Sequence, residues 1–375
     1  MEAPMEKPRK KKTLIRTIQI VVSVGVTLAI FALIIPKIAS YASVWKTIAK
    51  LTPIEFGSLV LATVFNLFTY WWQMMAAMPG LTLGQSAVNN QSSTTIANLM
   101  PGGGIVSMGV AYAMFYSWGF SGSQIALLIS TTGLWNTFMK LFLPVFALVL
   151  LAFTGNATTA LLIPAMIGLA ILIASVTIFG LVLARKTAAR AIGNRVGSLW
   201  SRMRGIFRKP PVEEWGEKAV TFRNDTLVLV GKRWPALTLT TIVSHLALYF
   251  VLLLALRHVG VAEAEVSSIQ VLAVFAFARL LSAAPITPGG LGVVELALIG
   301  GLYAAGRSHT DVPIAEFKAQ VTAAALLFRV LTFGIQIPLG GFTYIIWQRK
   351  KSWRKPQAAE APGPGPSPVA EPIAS

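Results

Sequence analysis

The 375-residue chain has no cysteine, which excludes disulfides and thiolate metal sites and leaves the redox compartment open. Charge is also scarce: 12% of the residues are charged, about half of what a soluble domain carries. Acidic residues are rarer still, 14 against 32 Lys and Arg, and there are three histidines. No group of His, Asp and Glu has metal-ligand spacing, and no serine has an evident base beside it. Neither metal nor cofactor is expected, and an enzyme is not the leading class. "PGGGIVSMG" is not a nucleotide loop, because the Gly-Lys-Ser/Thr end is missing.

In place of charge stand apolar residues, 55% of the chain, with a mean hydropathy of +0.67. About 20 apolar residues cross the hydrocarbon core as a helix. Six runs reach that length, at residues 14–35, 54–78, 124–153, 157–184, 235–256 and 321–347. Two more apolar regions, 86–118 and 266–305, are interrupted at their middle by "LMPGGGIVSMGV" and "APITPGGLGVVE". The expected fold class is an all-α polytopic membrane protein with about six full spans and two Gly/Pro-broken re-entrant hairpins. The run at 14–35 follows a basic start, as in a signal peptide. It is longer than an h-region, however, and ends at Pro36-Lys37 with no small-residue cleavage site. It reads as a retained first span.

The net charge of +18 raises the question of nucleic acid, and the positions of the charges answer it. Six basic residues lie in "KPRKKKTLIR", twelve between Arg185 and Arg233, and five in "RKKSWRK". Every cluster flanks an apolar run. That is the positive-inside pattern, with anionic lipid heads as the partner, and no nucleic acid is expected. With the N-terminus cytoplasmic, all three clusters fall on the cytoplasmic face of a plasma membrane, and so do both termini. This holds whether the interrupted regions dip in or cross twice. Trp71, Trp72, Trp118, Trp234 and Trp347 then lie near the inner interface. The chain divides into a basic N-terminus (1–13), a membrane domain (14–350) and a Pro/Ala-rich tail (351–375) expected to be disordered. The membrane domain has halves at 54–184 and 235–348 around a basic loop at 185–233. Residues 38–51 suit an external interfacial helix, and the basic loop suits helix lying along the inner surface.

Each half reads as span, interrupted pair, span, and the halves enter from opposite sides. That is the pattern of an inverted repeat with its site near the midplane. The break at Pro101 precedes Pro144 by 43 residues, and the one at Pro288 precedes Pro338 by 50. A bundle that merely contains Gly and Pro is the plainer alternative. Backbone freed from a helix cannot face lipid, so both breaks belong in the interior. Gly102, Gly103 and Gly104 in the first, and Gly289 and Gly290 in the second, suit N–H groups and a helix N-terminus turned toward an anion. The alternative is tight helix packing at small residues.

The ionisable residues within the apolar segments are Lys140, His245, Arg279, Glu295 and Arg329. A charge at mid-bilayer costs roughly 2.5–3.5 kcal/mol on insertion scales, so each should face inward and be paired. Glu295 is the one carboxylate of the set. Arg279, on the opposing arm of the same hairpin, is its expected partner. Lys140 and Arg329 occupy corresponding spans, 39 and 41 residues after their prolines, with no partner evident. Snorkelling to an interface is the alternative for Lys140. His245 reads as a helix-contact residue. Lys140, Arg279, Arg329, Glu295 and the five glycines are thus the candidate ligand-binding residues, and three cations against one carboxylate favour a phosphate-bearing lipid.

Around these residues the chain resembles the transmembrane region of lysylphosphatidylglycerol synthases, a flippase-like family. The resemblance rests on "TPGGLGVVE" with Arg279 upstream, on "NLMPGGG" and on "FRVLTFGIQIPLGG", and covers residues 14–350. It implies an integral membrane fold of two related halves with re-entrant hairpins, and a role in moving lipids between leaflets. The soluble aminoacyl-transfer domain of the full-length synthases is not expected here. Many relatives place an acid and an arginine after the first break, where this sequence has Ile105 and Met108, which makes the first hairpin less polar. The expected function is binding and translocation of an anionic lipid. A non-transporting partner that recruits or regulates a cell-envelope enzyme is the second reading, and an envelope enzyme or a second copy of the chain (a homo-oligomer) is the candidate protein partner. A headgroup-transfer enzyme is the third.

The orientation is testable because single cysteines can be introduced into a cysteine-free chain. One near Gly155 should react with an impermeant maleimide on intact cells, and one near Arg204 only after the cells are opened. Labelling near Arg204 from outside would overturn the assignment.

Overall fold

The structure is a computed structural model that describes residues 25, 27–99, 103–154, 159–205, 214–282 and 287–353. Among these are twelve helices and no strand. They are α1 (Thr27–Ile38), α2 (Tyr41–Ile48), α3 (Pro53–Ala77), α4 (Leu83–Leu99), α5 (Gly103–Ser117) and α6 (Gly122–Phe153). Then follow α7 (Thr159–Ala184), α8 (Lys186–Gly205), α9 (Trp215–His258), α10 (Ser268–Leu281), α11 (Val293–Gly306) and α12 (Ile314–Arg349). Helices α3, α6, α7, α9 and α12 are long and apolar enough to cross a membrane, and the pair α1–α2 adds a sixth if taken as one span. This is the polytopic all-α class that the apolar runs predict. The basic N-terminus, the start of the first expected span, the turn near Gly155 and the tail beyond Trp353 lie outside the described residues.

Local chemistry sets where the helices start. Thr52 and Glu55 form a reciprocal capping box at α3, as do Ser121 and Gln124 at α6 and Ser267 and Gln270 at α10. Between α1 and α2 the chain bends by 77°, and the Ser40 side chain accepts the Ser43 N–H to start α2. This short helix occupies the stretch expected to hold an interfacial one.

One expectation for the second half needs correction. The fifth span was expected to start at Pro235, but α9 is one helix of 44 residues that starts at Trp215 and runs on through the proline. The missing proline N–H costs it one backbone bond, which the long flanking stretches of helix absorb. The basic segment, expected to be helical in part, contains α8 and the start of α9. Helix α8 folds back along the start of α9, where Arg190 and Glu217 pair at 2.8 Å and Gly193 and Gly197 let Trp215 approach. A Cβ on either glycine would come within 2.6 Å of Trp215.

The packing of the long helices places the two interrupted pairs. Helices α3 and α9 run antiparallel: Ser58 meets His258, Asn66 donates to the Ser244 carbonyl, and Gln73 donates to Thr241. Their C-terminal ends therefore lie at opposite ends of the bundle. The pair α4–α5 follows the first of these ends and α10–α11 follows the second. Each pair is a hairpin. The Asn89 amide donates to the Ala111 carbonyl across the first, and Gly301 lies against Val274 across the second. The four arms have between 14 and 17 residues, short of the ~20 needed to cross.

The first arm of each hairpin packs on the long helix that follows the hairpin of the other half, α4 on α12 and α10 on α6. The α4–α12 contact is backbone-close. Thr95 donates to the Gln336 carbonyl at 2.7 Å, and a Cβ on Gly340 would meet the Thr95 hydroxyl at 2.0 Å. The end of α4 also reaches the second break, with Asn98 Oδ1 beside Gly289. The hairpins thus come from opposite ends of the bundle, and the end of the first arm of one touches the tip of the other.

Candidate functional site

The second break holds a 3-10 turn, Pro288–Gly290; its Gly289 and Gly290, and Gly292 just beyond it, have φ of +59°, +70° and +83°. That left-handed conformation is open to glycine and strained for other residues. Gly289 is held from the other side by Phe333, whose ring would lie 2.2 Å from a Cβ there. Phe333 sits in a π-turn of α12, Val330–Gly334, closed by the Ile335 N–H on the Val330 carbonyl at 2.9 Å. Pro338 cannot donate to the Gly334 carbonyl, so the ladder is already broken there and the wider turn is accommodated. Arg329 is the residue that leads into it.

Glu295 pairs with Arg329, not with Arg279. Arg329 Nε donates to Glu295 Oε1 at 2.7 Å, and the carboxylate is almost wholly buried. The other oxygen, Oε2, accepts the Gly292 N–H at 2.7 Å and caps α11. Arg329 also donates to the Gly289 carbonyl at 3.0 Å and stacks on Phe333. The expected Arg279–Glu295 pair fails because Glu295 folds back over the start of its own helix, toward α12, while Arg279 faces a cavity. The second break also offers less to an anion than expected: the Gly290 N–H is spent on the Thr287 carbonyl, and Glu295 already occupies the positive end of α11.

The cavity has a volume of about 300 Å³, and Lys140, Arg279, Arg329 and Gly289 all line it. Lys140 projects from the interior of α6, away from either end of that helix, so snorkelling is not the arrangement found. Among the described residues, neither Lys140 nor Arg279 has a carboxylate within ion-pair distance. The Nε of Arg279 is buried with no hydrogen-bond partner. Two of the three cations are therefore left without a counter-charge.

The first break contributes differently. Gly102 lies outside the described residues. Gly103 packs α5 against the end of α4, where a Cβ would meet the Ile96 carbonyl at 2.5 Å, and Gly104 faces open space. Neither lines the cavity. In their place stand Asn90, Thr94 and Asn98 of α4, spaced so that one helix face presents all three. Sequence reasoning missed this face. Its signal was there, in the run "NNQSSTT" inside a region treated as apolar. A second, uncharged cavity of about 250 Å³ adjoins the first, with Tyr70 and Asn90 lining both.

His245 is buried against its own helix, with Nδ1 3.0 Å from the Thr241 carbonyl, and lines neither cavity. Ser58 does meet a base: its Oγ lies 2.8 Å from His258 Nε2. The third group of a nucleophilic triad is not in place, because Glu55 Oε1 is 4.0 Å from His258 Nδ1, beyond hydrogen-bond reach. Glu55 Oε2 is committed to capping α3.

The family described as "Lysylphosphatidylglycerol synthase TM region" matches residues 19–340. No curated protein matches the chain.

The Arg329–Glu295 pair can be tested by a double-mutant cycle. Arg329→Gln strands a buried carboxylate and should cost about 3–5 kcal/mol of unfolding free energy. Glu295→Gln should cost less, since Gln still caps Gly292, and the double variant should recover much of the loss. Additive effects in detergent unfolding would mean that the pair does not form.

Proposed function

We propose that this chain, which belongs to the lysylphosphatidylglycerol synthase TM-region family, binds a lipid with an anionic, phosphate-bearing head and translocates it between leaflets. The observation that carries this reading is the pair of cations without counter-ions, Lys140 and Arg279, in one cavity beside the tip of the second hairpin. A cation left unpaired in a low-dielectric interior is costly, and a lipid phosphate would supply the missing charge. Arg329 plays a different part. Its charge is balanced by Glu295, and its contact with Gly289 holds the hairpin tip against α12.

The reciprocal packing of the hairpins supports an inverted repeat whose halves enter a plasma membrane from opposite faces as re-entrant elements, with both termini cytoplasmic. In such an arrangement the cavity lies near the midplane, where an alternating-access site is built. A non-transporting partner would be expected to have a packed interior, and the two adjoining cavities favour transport over it. The chain then performs no covalent step.

The test is translocation of fluorescent lipids in proteoliposomes, read by dithionite quenching. Anionic phosphatidylglycerol should move faster than zwitterionic phosphatidylcholine. Each hydrogen bond to a charged group is worth about 1.5–3 kcal/mol, so Lys140→Gln or Arg279→Gln should weaken binding of the anionic lipid by about 10–100-fold. Equal rates for the two lipids, or a double variant that keeps the anionic preference, would overturn the reading.

A further inference from the structure

We infer that α8 is a docking site for an acidic amphipathic helix of a second protein, on the side of the membrane that carries the basic clusters. This is independent of the lipid reading and takes from the proposal above only the orientation. Where α8 stands decides what can reach it. Helix α9 has 44 residues, about 66 Å of helix, more than the ~40–45 Å of a bilayer with its headgroups. Asp225 accepts from the Ser123 hydroxyl, in the first turn of α6, at 2.6 Å, and Arg223 donates to the carbonyl of Ala184, the last residue of α7, at 3.4 Å. Residues 215–222 therefore lie beyond the ends of both neighbouring spans. Helix α8 runs antiparallel beside them, with Arg190 on Glu217 and with Gly193 and Gly197 on Trp215. Past Gly197 it outruns the start of α9, so Leu199 and Trp200 stand about 15 Å beyond Asp225. The basic hairpin thus rises from the end of the bundle, where its composition alone suggests a helix along the inner surface.

One face of α8 is used in this packing and another is left open. Ala189, Gly193 and Gly197 are buried against α9. Ile192, Val196, Leu199 and Trp200, at i, i+4, i+7 and i+8, share a neighbouring face and are exposed by 39, 48, 61 and 47%. Arg195 and Arg202 border that stripe and are exposed as well. Among the described residues nothing covers it. Apolar anchors at this spacing are the means by which one amphipathic helix seats against another.

Position, charge and size choose the occupant. The bilayer around this chain is out of reach of a helix end that rises beside α9 and away from the spans. A second copy would set arginine against arginine. Residues 185–233 hold twelve basic and four acidic residues, and of the acids Glu217 and Asp225 are already bonded. The stripe is also four side chains wide, where a stable interface takes about 20–30 residues a side. A partner helix with apolar anchors between Asp and Glu side chains meets the charge condition, and the small area suits a transient contact.

The experiment uses the full-length protein in phosphatidylcholine nanodiscs and a fluorescein-labelled helical peptide with leucines at i, i+3, i+4 and i+7 flanked by glutamates. Two controls have the same residues in permuted order, or lysine in place of glutamate. Fluorescence anisotropy should show micromolar binding of the acidic peptide, at least about tenfold weaker binding of the permuted one, and none of the lysine one. Leu199→Asn combined with Trp200→Asn should lower the affinity at least about tenfold. Arg195→Glu combined with Arg202→Glu should transfer the preference to the lysine peptide. All four side chains are exposed, so both double variants should unfold at the wild-type midpoint. Equal binding of the acidic and permuted peptides, or variants that bind as the wild type does, would overturn the docking site. So would quenching of a bimane at Leu199→Cys by nitroxide lipids in phosphatidylglycerol nanodiscs, which would place the stripe in the bilayer. A dimer that the Leu199→Asn change dissociates would assign the stripe to a second copy and overturn it as well.

Discussion

The arrangement turns on how one buried carboxylate is used. Among the described residues Glu295 is the acid that pairs beside the cavity, and three cations lie close enough to line that cavity. In a medium where an unpaired charge costs several kcal/mol, the choice of partner decides what the other two cations can do. Glu295 takes Arg329 with one oxygen and the start of its own helix with the other. That single group fixes the hairpin tip, balances one cation, and leaves Lys140 and Arg279 available to a ligand.

The backbone makes this choice available. Three glycines at positive φ shape the described end of the connection between α10 and α11. The wider turn of α12 at Val330–Gly334 brings Phe333 against the tip and Arg329 under it. On the opposite side, the end of α4 brings Asn98 to the same glycine. A larger residue at Gly289 would meet both neighbours at once. The irregular backbone at the tip is packed in protein at Gly290 and Gly292 and faces the cavity at Gly289, the two settings in which a membrane interior tolerates it.

Much of this was legible in the sequence, because hydropathy and helix-breaking residues act locally. The apolar runs mark the long helices, and the two Pro-Gly-Gly breaks mark hairpins at the right places. Lys140, Arg279 and Arg329 stood out as charges in apolar surroundings, and the structure gathers them. What failed was rotation about the helix axis. Arg279 and Glu295 lie on facing arms, yet capping of Gly292 turns Glu295 toward α12, and spacing alone does not carry that information. Nor did an apolar run reveal that α9 begins at Trp215, since propensity and packing against α8 extend a helix past any hydropathy boundary. The polar face of α4 was readable from Asn90, Thr94 and Asn98, but the glycines that follow drew attention to the break instead of to the helix before it.

The most direct test of the central claim is a density map of the protein in nanodiscs that contain an anionic phospholipid. The account predicts a headgroup in the cavity with its phosphate between the Lys140 ammonium and the Arg279 guanidinium, while Arg329 stays on Glu295. A cavity filled only by acyl chain or water, or Glu295 turned to Arg279 with Lys140 swung out to an interface, would contradict it.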